Sequence, residues 1–140
     1  MYKICLVSVL SAVLLLSGGC ADEQATLAAE EQQMAQSIVN LAGVTLIFRP
    51  GRVVVETPAT LELVISPAEV ITEAYLTGGN MYMGKIPLRL VAGSLAGHWE
   101  TQYILGACTE PEMIWQLTVQ IGNPQGPVRQ VQYEFRSYLR

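Results

Sequence analysis

Four sulfur-bearing side chains in two short stretches of the chain could bind a soft metal ion. Met81 and Met83 are separated by one residue in Asn-Met-Tyr-Met-Gly, so an extended backbone points both thioethers to the same side. Cys108 and Met113 flank the segment Thr-Glu-Pro-Glu. Thiol and thioether sulfurs favour Cu(I) over divalent ions that prefer carboxylate or imidazole. We therefore predict that three or all four of these residues bind Cu(I), provided that the two stretches meet in the fold.

Each of these residues also has an ordinary structural interpretation. A single methionine commonly fills an irregular gap in a core, and Cys108 could equally be a small buried hydrophobe. The pair Met81 and Met83 favours a site more strongly, because polar and turn residues surround it where a core strand would carry Val or Ile. His98, the only histidine in the sequence, is predicted to be exposed or satisfied by a partner.

A β-hairpin is the local structure that would bring Cys108 next to Met113. If the residues before Cys108 pair with those after Met113, the two side chains stand opposite each other with Cβ atoms about 5 Å apart. In that register the polar side of strand 98–105 shares a face with Trp115, so we predict a β-bulge at Gly106 and Ala107 that restores the alternation. Met81 and Met83 must then come from a neighbouring loop at the same end.

The elements around these stretches read as an all-β domain. β-branched and aromatic residues occur in short runs that Pro, Gly and Asn separate, which favours strands joined by turns. We predict an immunoglobulin-like antiparallel sandwich of seven or eight strands over residues 43–140. The predicted strands are 44–48, 53–56, 60–65, 71–76, 88–91, 98–105, 114–121 and 128–138, the last of them an edge strand.

The N-terminal residues are typical of an export signal. Lys3 precedes a nearly unbroken apolar run over 4–16, and the small residues Ser-Gly-Gly lead into Cys20. This arrangement resembles the bacterial lipoprotein cleavage box. The resemblance implies a signal peptide over 1–19, a Cys20 that carries lipid, and a protein anchored to a membrane outside the cytoplasm. An ordinary secretory signal with a coincidental cysteine is the alternative.

Lipoprotein sorting and the segment after Cys20 complete the N-terminal prediction. Since Ala21 and not Asp follows Cys20, the resemblance implies an outer-membrane lipoprotein facing the periplasm, or a cell-membrane lipoprotein if the host lacks an outer membrane. Residues 20–42 form the predicted tether, rich in Ala, Glu and Gln. These residue types favour helix, so we predict a helical or partly disordered tether, with a short coiled-coil arm as the alternative.

Charge and cysteine content restrict the class of partner. The formal net charge of -4 and the pI near 4.9 argue against nucleic acid, whose binding needs a basic stripe. With Cys5 in the signal and Cys20 acylated, Cys108 has no intramolecular disulfide partner. It is then inert, bonded between chains, or a reactive or metal-binding thiol.

A family resemblance supports the copper prediction. Periplasmic YtkA-like and FixH-like domains resemble residues 61–121 in four motifs, which are Met81-x-Met83-Gly84, Pro87-Leu88-x-Leu90, Gly97-x-Trp99 and Met113-x-Trp115-x-Leu117-x-Val119. The resemblance implies a small immunoglobulin-like sandwich associated with copper handling and cytochrome oxidase assembly, with Met81 and Met83 as ligand candidates. Here Ile114 stands where family members often have Gly, and no histidine accompanies the methionines.

No pattern in the sequence favours catalysis. A Gly-x-Ser-x-Gly elbow, a His-Glu-x-x-His pair and a Gly-rich phosphate loop are all missing from the sequence. We expect a binding protein and not an enzyme, namely a membrane-anchored Cu(I)-binding or copper-delivery domain whose partner is a copper-protein acceptor. The alternative is a metal-free immunoglobulin-like module for protein interaction or assembly.

Overall fold

Two five-stranded sheets make up the part of the chain that the computed structural model describes, residues 34–139. The predicted signal peptide, Cys20 and most of the predicted tether fall in residues 1–33, outside the described residues. The prediction of an all-β fold is confirmed. The strands are β1 Ser37–Leu41, β2 Val44–Arg49, β3 Val53–Val54, β4 Ala59–Val64, β5 Val70–Gly78, β6 Lys85–Pro87, β7 Val91–Ala92, β8 His98–Tyr103, β9 Glu112–Asn123 and β10 Gly126–Tyr138.

The chain changes sheet several times. One sheet has the order β1-β2-β4-β8-β7, and the other has the order β3-β10-β9-β5-β6. All neighbouring strands pair antiparallel except β3, which pairs in parallel with the end of β10. Because β8 and β9 are consecutive but lie in different sheets, residues 104–111 cross from one sheet to the other.

One apolar core lies between the sheets. The alternation predicted for β4 is confirmed, since Leu61, Leu63 and Ile65 are buried. Every second residue of β9 from Trp115 to Ile121 is buried in the same way, as a strand with one inner face requires. The Trp115 indole Nε1 donates to Ser137 Oγ at 2.9 Å, which satisfies its polar atom inside the core.

The helical tether predicted over 20–42 is wrong at its C-terminal end. Residues 37–41 form β1, which pairs with β2 from Ser37 opposite Phe48 to Leu41 opposite Val44. Ala42 and Gly43 join them with φ of 48° and 74°. Positive φ at both turn residues is the geometry of a two-residue hairpin turn whose twist matches the strands. The sandwich therefore includes residues 37–42 and does not begin at residue 43.

The hairpin predicted between Cys108 and Met113 is also wrong. The strand containing Met113 pairs with β10, where Ser137 stands opposite Met113, and with β5. Gly106 and Ala107 lie in the sheet-crossing segment and not in a β-bulge. The reason is that β8 already pairs with β4 and β7 in the other sheet. Cys108 therefore does not face Met113 across a pair of strands. It lies instead against the loop that follows β5.

One further strand prediction is wrong in part, and the edge prediction for the last strand is confirmed over most of its length. The predicted strand 88–91 is wrong for its first three residues, because they connect β6 in one sheet to β7 in the other, and the Leu88 backbone N–H donates to Ala74 O. The last strand is an edge over most of its length, as predicted. It pairs with β3 only at Ser137 and Tyr138.

Candidate metal centre

The loop 79–84 that carries Met81 and Met83 follows β5 and is tightly folded. A Cβ atom on Gly78 would overlap the carbonyl oxygen of Met81, so only glycine allows the loop to fold back this closely. A Cβ on Gly79 would approach Ile114 Cγ2 to 3.0 Å. Gly84 ends the loop with φ of 72°. The glycines of Gly-Gly-Asn-Met-Tyr-Met-Gly thus determine where Met81 lies.

Hydrogen bonds fasten this loop to the start of β9. The Gly79 backbone N–H donates to Ile114 O at 2.7 Å, one residue beyond the last paired residue of β5, Gly78. The Asn80 side chain then replaces a strand residue: its Oδ1 accepts from the Ile114 backbone N–H at 3.0 Å, and its Nδ2 donates to Glu112 O at 3.1 Å. We call these three bonds the Asn80 clamp.

Cys108 lies in the sheet-crossing segment 104–111. Glu56 N–H donates to Leu105 O at 2.8 Å and fixes the beginning of the segment. Within the described part of the chain, residues 106–111 make no backbone-to-backbone hydrogen bond outside the strands. Gly106, Ala107, Thr109 and Glu110 are exposed, whereas Cys108 is half-buried against the core. The segment therefore turns one thiol inward from an otherwise solvated chain.

The two loops bring two of the predicted sulfurs into contact. Cys108 Sγ lies 2.7 Å from Met81 Sδ and donates its S–H toward the thioether. Both side chains are half-buried and pack on the core. The structure thus places the Met81 loop and the Cys108 segment at the same end of the sandwich. Their role as ligands stays a prediction.

The other two predicted sulfurs are placed differently. Met83 lies on the same loop as Met81, half-buried, with its Cγ 3.3 Å from a Cβ built on Gly78. Met113 is 1% exposed and is part of the core cluster. Between the two methionines of the loop, Tyr82 is 92% exposed. Of the three methionines, Met81 therefore contacts the thiol, Met83 is its neighbour in the loop, and Met113 has the environment of a packing residue.

Two ion pairs lie near this end of the sandwich. Arg136 Nη1 lies 2.7 Å from Glu112 Oε2 at the start of β9, and Lys85 pairs with Glu73 after the loop. His98 lies elsewhere, in β8, where its Nδ1 is 3.0 Å from Glu62 Oε1, so the prediction that a partner satisfies it is confirmed. Hydrogen bonds from His98 and then Arg49 lower the pKa of Glu62.

Sequence reasoning missed Asn80 as a residue that shapes this centre. The Gly-Gly-Asn triplet was visible as a turn signal, but only the fold shows that the amide reaches β9. Within residues 34–139, no group of three or more His, Cys, Asp or Glu side chains is arranged to bind a metal ion. In the same residues, no helix has the length and apolar character that crossing a membrane requires.

Comparison with known proteins adds little to this geometry. No protein-family model matches the chain. No curated protein matches it significantly in sequence. Among solved structures, a DUF4426 family protein from Pseudomonas aeruginosa PAO1 is similar with a TM-score of 0.48 and 10% sequence identity, over 74% of this chain and 95% of that one.

Proposed function

We propose that this protein binds Cu(I) through the Cys108 thiolate and the Met81 thioether, with Met83 as a third ligand from the same loop. The observation that carries the proposal is the 2.7 Å contact between Cys108 Sγ and Met81 Sδ, formed by segments 27 residues apart in sequence. A thiolate and a thioether are the soft donors that Cu(I) prefers. Met113, which is fully buried, is given a packing role.

The surroundings of the two sulfurs support a monovalent soft ion. With a single thiolate available, a zinc or divalent copper site would also need imidazole or carboxylate ligands. Here the single histidine is in β8 and bonded to Glu62, and the nearby Glu112 is paired with Arg136. A half-buried site of few ligands also allows an acceptor protein that offers sulfur to exchange ligands one at a time. Delivery of copper to such an acceptor is therefore the proposed role.

We also propose that the fold is an immunoglobulin-like sandwich, as in the YtkA-like and FixH-like domains. The strand order supports this. With β2, β4, β8 and β7 lettered A, B, E and D, and with β10, β9 and β5 lettered G, F and C, the two sheets follow the A-B-E-D and G-F-C orders of that fold. β1, β3 and β6 are additional strands. Trp115 lies on the strand lettered F, whereas immunoglobulin domains carry their core Trp on strand C.

The membrane anchor is proposed from the sequence alone. The small residues before Cys20 support lipidation of that cysteine, and Ala21 supports sorting to the outer membrane. Several acyl chains would hold the protein far more firmly than one. Labelling cells with a radioactive fatty acid tests this, since the label is expected on the wild type and not on Cys20→Ser. Equal labelling of both proteins would contradict the anchor.

Competitive Cu(I) titration under reducing conditions tests the copper site. The full chain carrying Cys5→Ser and Cys20→Ser leaves Cys108 as its one thiol, because the sequence has three cysteines. In this background, Cys108→Ser is expected to weaken binding at least about a hundredfold and Met81→Leu about tenfold, since each removes a metal–sulfur bond. Wild-type affinity in both variants would reject the proposal and favour the metal-free interaction module.

Two methionines provide matched controls for this titration. Met34→Leu removes an exposed thioether near β1, 59% exposed, and is expected to leave affinity unchanged. Met113→Leu keeps the core volume nearly constant and is likewise expected to leave affinity within about twofold. A large loss for Met113→Leu in a folded protein would return that residue to the ligand set.

A further inference from the structure

Both sulfurs lie close enough to share one ion. Metal–sulfur bonds are about 2.3 Å long, so two sulfurs that share an ion at a tetrahedral angle lie about 3.7 Å from each other. Cys108 Sγ and Met81 Sδ are in direct contact. A small adjustment of either segment therefore places both sulfurs on one ion.

The hydrogen bonds of the two segments indicate which segment adjusts when an ion binds. Met81 follows directly after the Asn80 clamp, which attaches residues 79 and 80 to β9 by three hydrogen bonds of 2.7–3.1 Å. Gly78 lies in close contact with the Met81 carbonyl, which blocks movement toward β5. Cys108, by contrast, lies in an exposed segment in which no described residue from 106 to 111 makes a backbone hydrogen bond outside the strands.

We infer that Asn80 is a positioning residue for the copper site: it holds Met81 in place while the Cys108 segment moves to admit and release the ion. The inference rests on the proposed function. Its physical basis is that a preformed ligand lowers the ordering cost of binding, whereas a compliant partner lets the ion enter and leave. Without the amide, Ile114 N–H and Glu112 O lose their partner, and Met81 no longer has a fixed place over Cys108.

The experiment compares Asn80→Ala, Asn80→Asp and Asn123→Ala in the full chain with Cys5→Ser and Cys20→Ser. Asn123 is the matched control, because its Oδ1 accepts from the Gln125 backbone N–H at 3.0 Å at the other end of β9. Asp at position 80 can still accept from Ile114 N–H but cannot donate to Glu112 O. Two properties are measured, the rate of Cys108 alkylation by iodoacetamide without metal and the affinity for Cu(I).

Asn80→Ala is expected to raise the alkylation rate about fivefold and to weaken Cu(I) binding about tenfold, because Met81 no longer covers the thiol. Asn80→Asp should fall between it and the parent protein, and Asn123→Ala should match the parent in both properties. A merely structural role would lower the urea midpoint and leave copper affinity, measured well below the transition, unchanged. If Asn80→Ala fails to fold, the result for Asn80→Asp decides.

The two readouts separate this inference from the proposed function. If the parent protein does not bind Cu(I), the proposed function fails, and the alkylation rates still show whether Asn80 holds Met81 over Cys108. If the parent binds Cu(I) but the folded Asn80 variants match it in affinity and in alkylation rate, the inference is overturned and the copper site stands.

Discussion

The loop that carries Met81 and the segment that carries Cys108 meet at one contact but are built in opposite ways. The first is a glycine-rich turn that continues the pairing of β5 with β9 through a side-chain amide. The second is an exposed crossing between sheets whose one inward-facing side chain is a thiol. In the proposed copper site, one ligand would be fixed and the other compliant, an arrangement suited to an ion that must later be passed on.

Amide hydrogen exchange provides the largest expected difference between the two segments. The N–H groups of Gly79 and Ile114 are bonded in the clamp, whereas those of Ala107 and Thr109 are not. Exchange requires local opening, so we expect protection at least about a hundredfold greater at the clamp, which corresponds to roughly 3 kcal/mol. Measurement by NMR on the metal-free protein tests this. Equal protection in both segments would remove the distinction between them.

Glycine substitution tests the same difference through stability. Gly78→Ala places a methyl group against the Met81 carbonyl, and relieving such an overlap is expected to cost about 2 kcal/mol. Gly106→Ala is the matched control, since a Cβ there has no heavy atom within 4 Å, and we expect a change below about 0.5 kcal/mol. Urea unfolding measures both. Comparable losses would show that the Cys108 segment is as tightly packed as the Met81 loop.

Acid should affect the clamp least, because an amide does not titrate. At the other end of the sandwich, Arg129 bonds both carboxylate oxygens of Glu69 at 2.9 Å and also reaches Ala42 O. The hydrogen bonds from Arg129 lower the pKa of Glu69 below its ordinary value of 4.5. The pair therefore stabilises the fold above that value, and its contribution is lost as pH falls through the lowered folded pKa.

Urea midpoints of the wild type and Glu69→Gln test this prediction. The difference between the two proteins should be small, present near neutral pH, and absent in strong acid, because both side chains still reach solvent, at 32% and 13% exposure, and water screens the pair. Hydrogen exchange of Ile114 in the folded protein, corrected for the intrinsic effect of pH, should not change over the same range. A loss of Ile114 protection that follows the titration would mean that charge and not the amide holds the clamp.

The parts of the fold that follow from local pattern could be predicted from the sequence. Leu61, Leu63 and Ile65 alternate with more polar residues, and a period of two identifies a strand with one buried face. β1 was missed because Ala, Gln and Glu dominate the residues before it. In addition, the Ala-Gly pair that follows it is a weaker turn signal than the Asn-Gly pair typical of hairpins. Its β-branched Ile38 and Val39 were the available signal.

The candidate site depended on contacts that no local pattern contains. Gly106 and Pro111 are compatible with a hairpin loop and with a crossing between sheets, and only the pairing of β8 with β4 distinguishes the two. The sulfur chemistry pointed to Met81 and Cys108, but the prediction that Cys108 faces Met113 failed with the hairpin. Asn80 could not be identified because its partners, Glu112 and Ile114, are more than 30 residues away.

X-ray absorption at the copper edge tests the central claim most directly. In the Cys5→Ser and Cys20→Ser protein grown with selenomethionine and loaded with one Cu(I), we expect a sulfur scatterer from Cys108 at about 2.3 Å and a separate selenium scatterer from Met81. Met81→Leu should reduce the selenium signal, and Met34→Leu should not. A copper shell of nitrogen or oxygen alone, or a selenium signal that Met81→Leu leaves intact, would contradict the account.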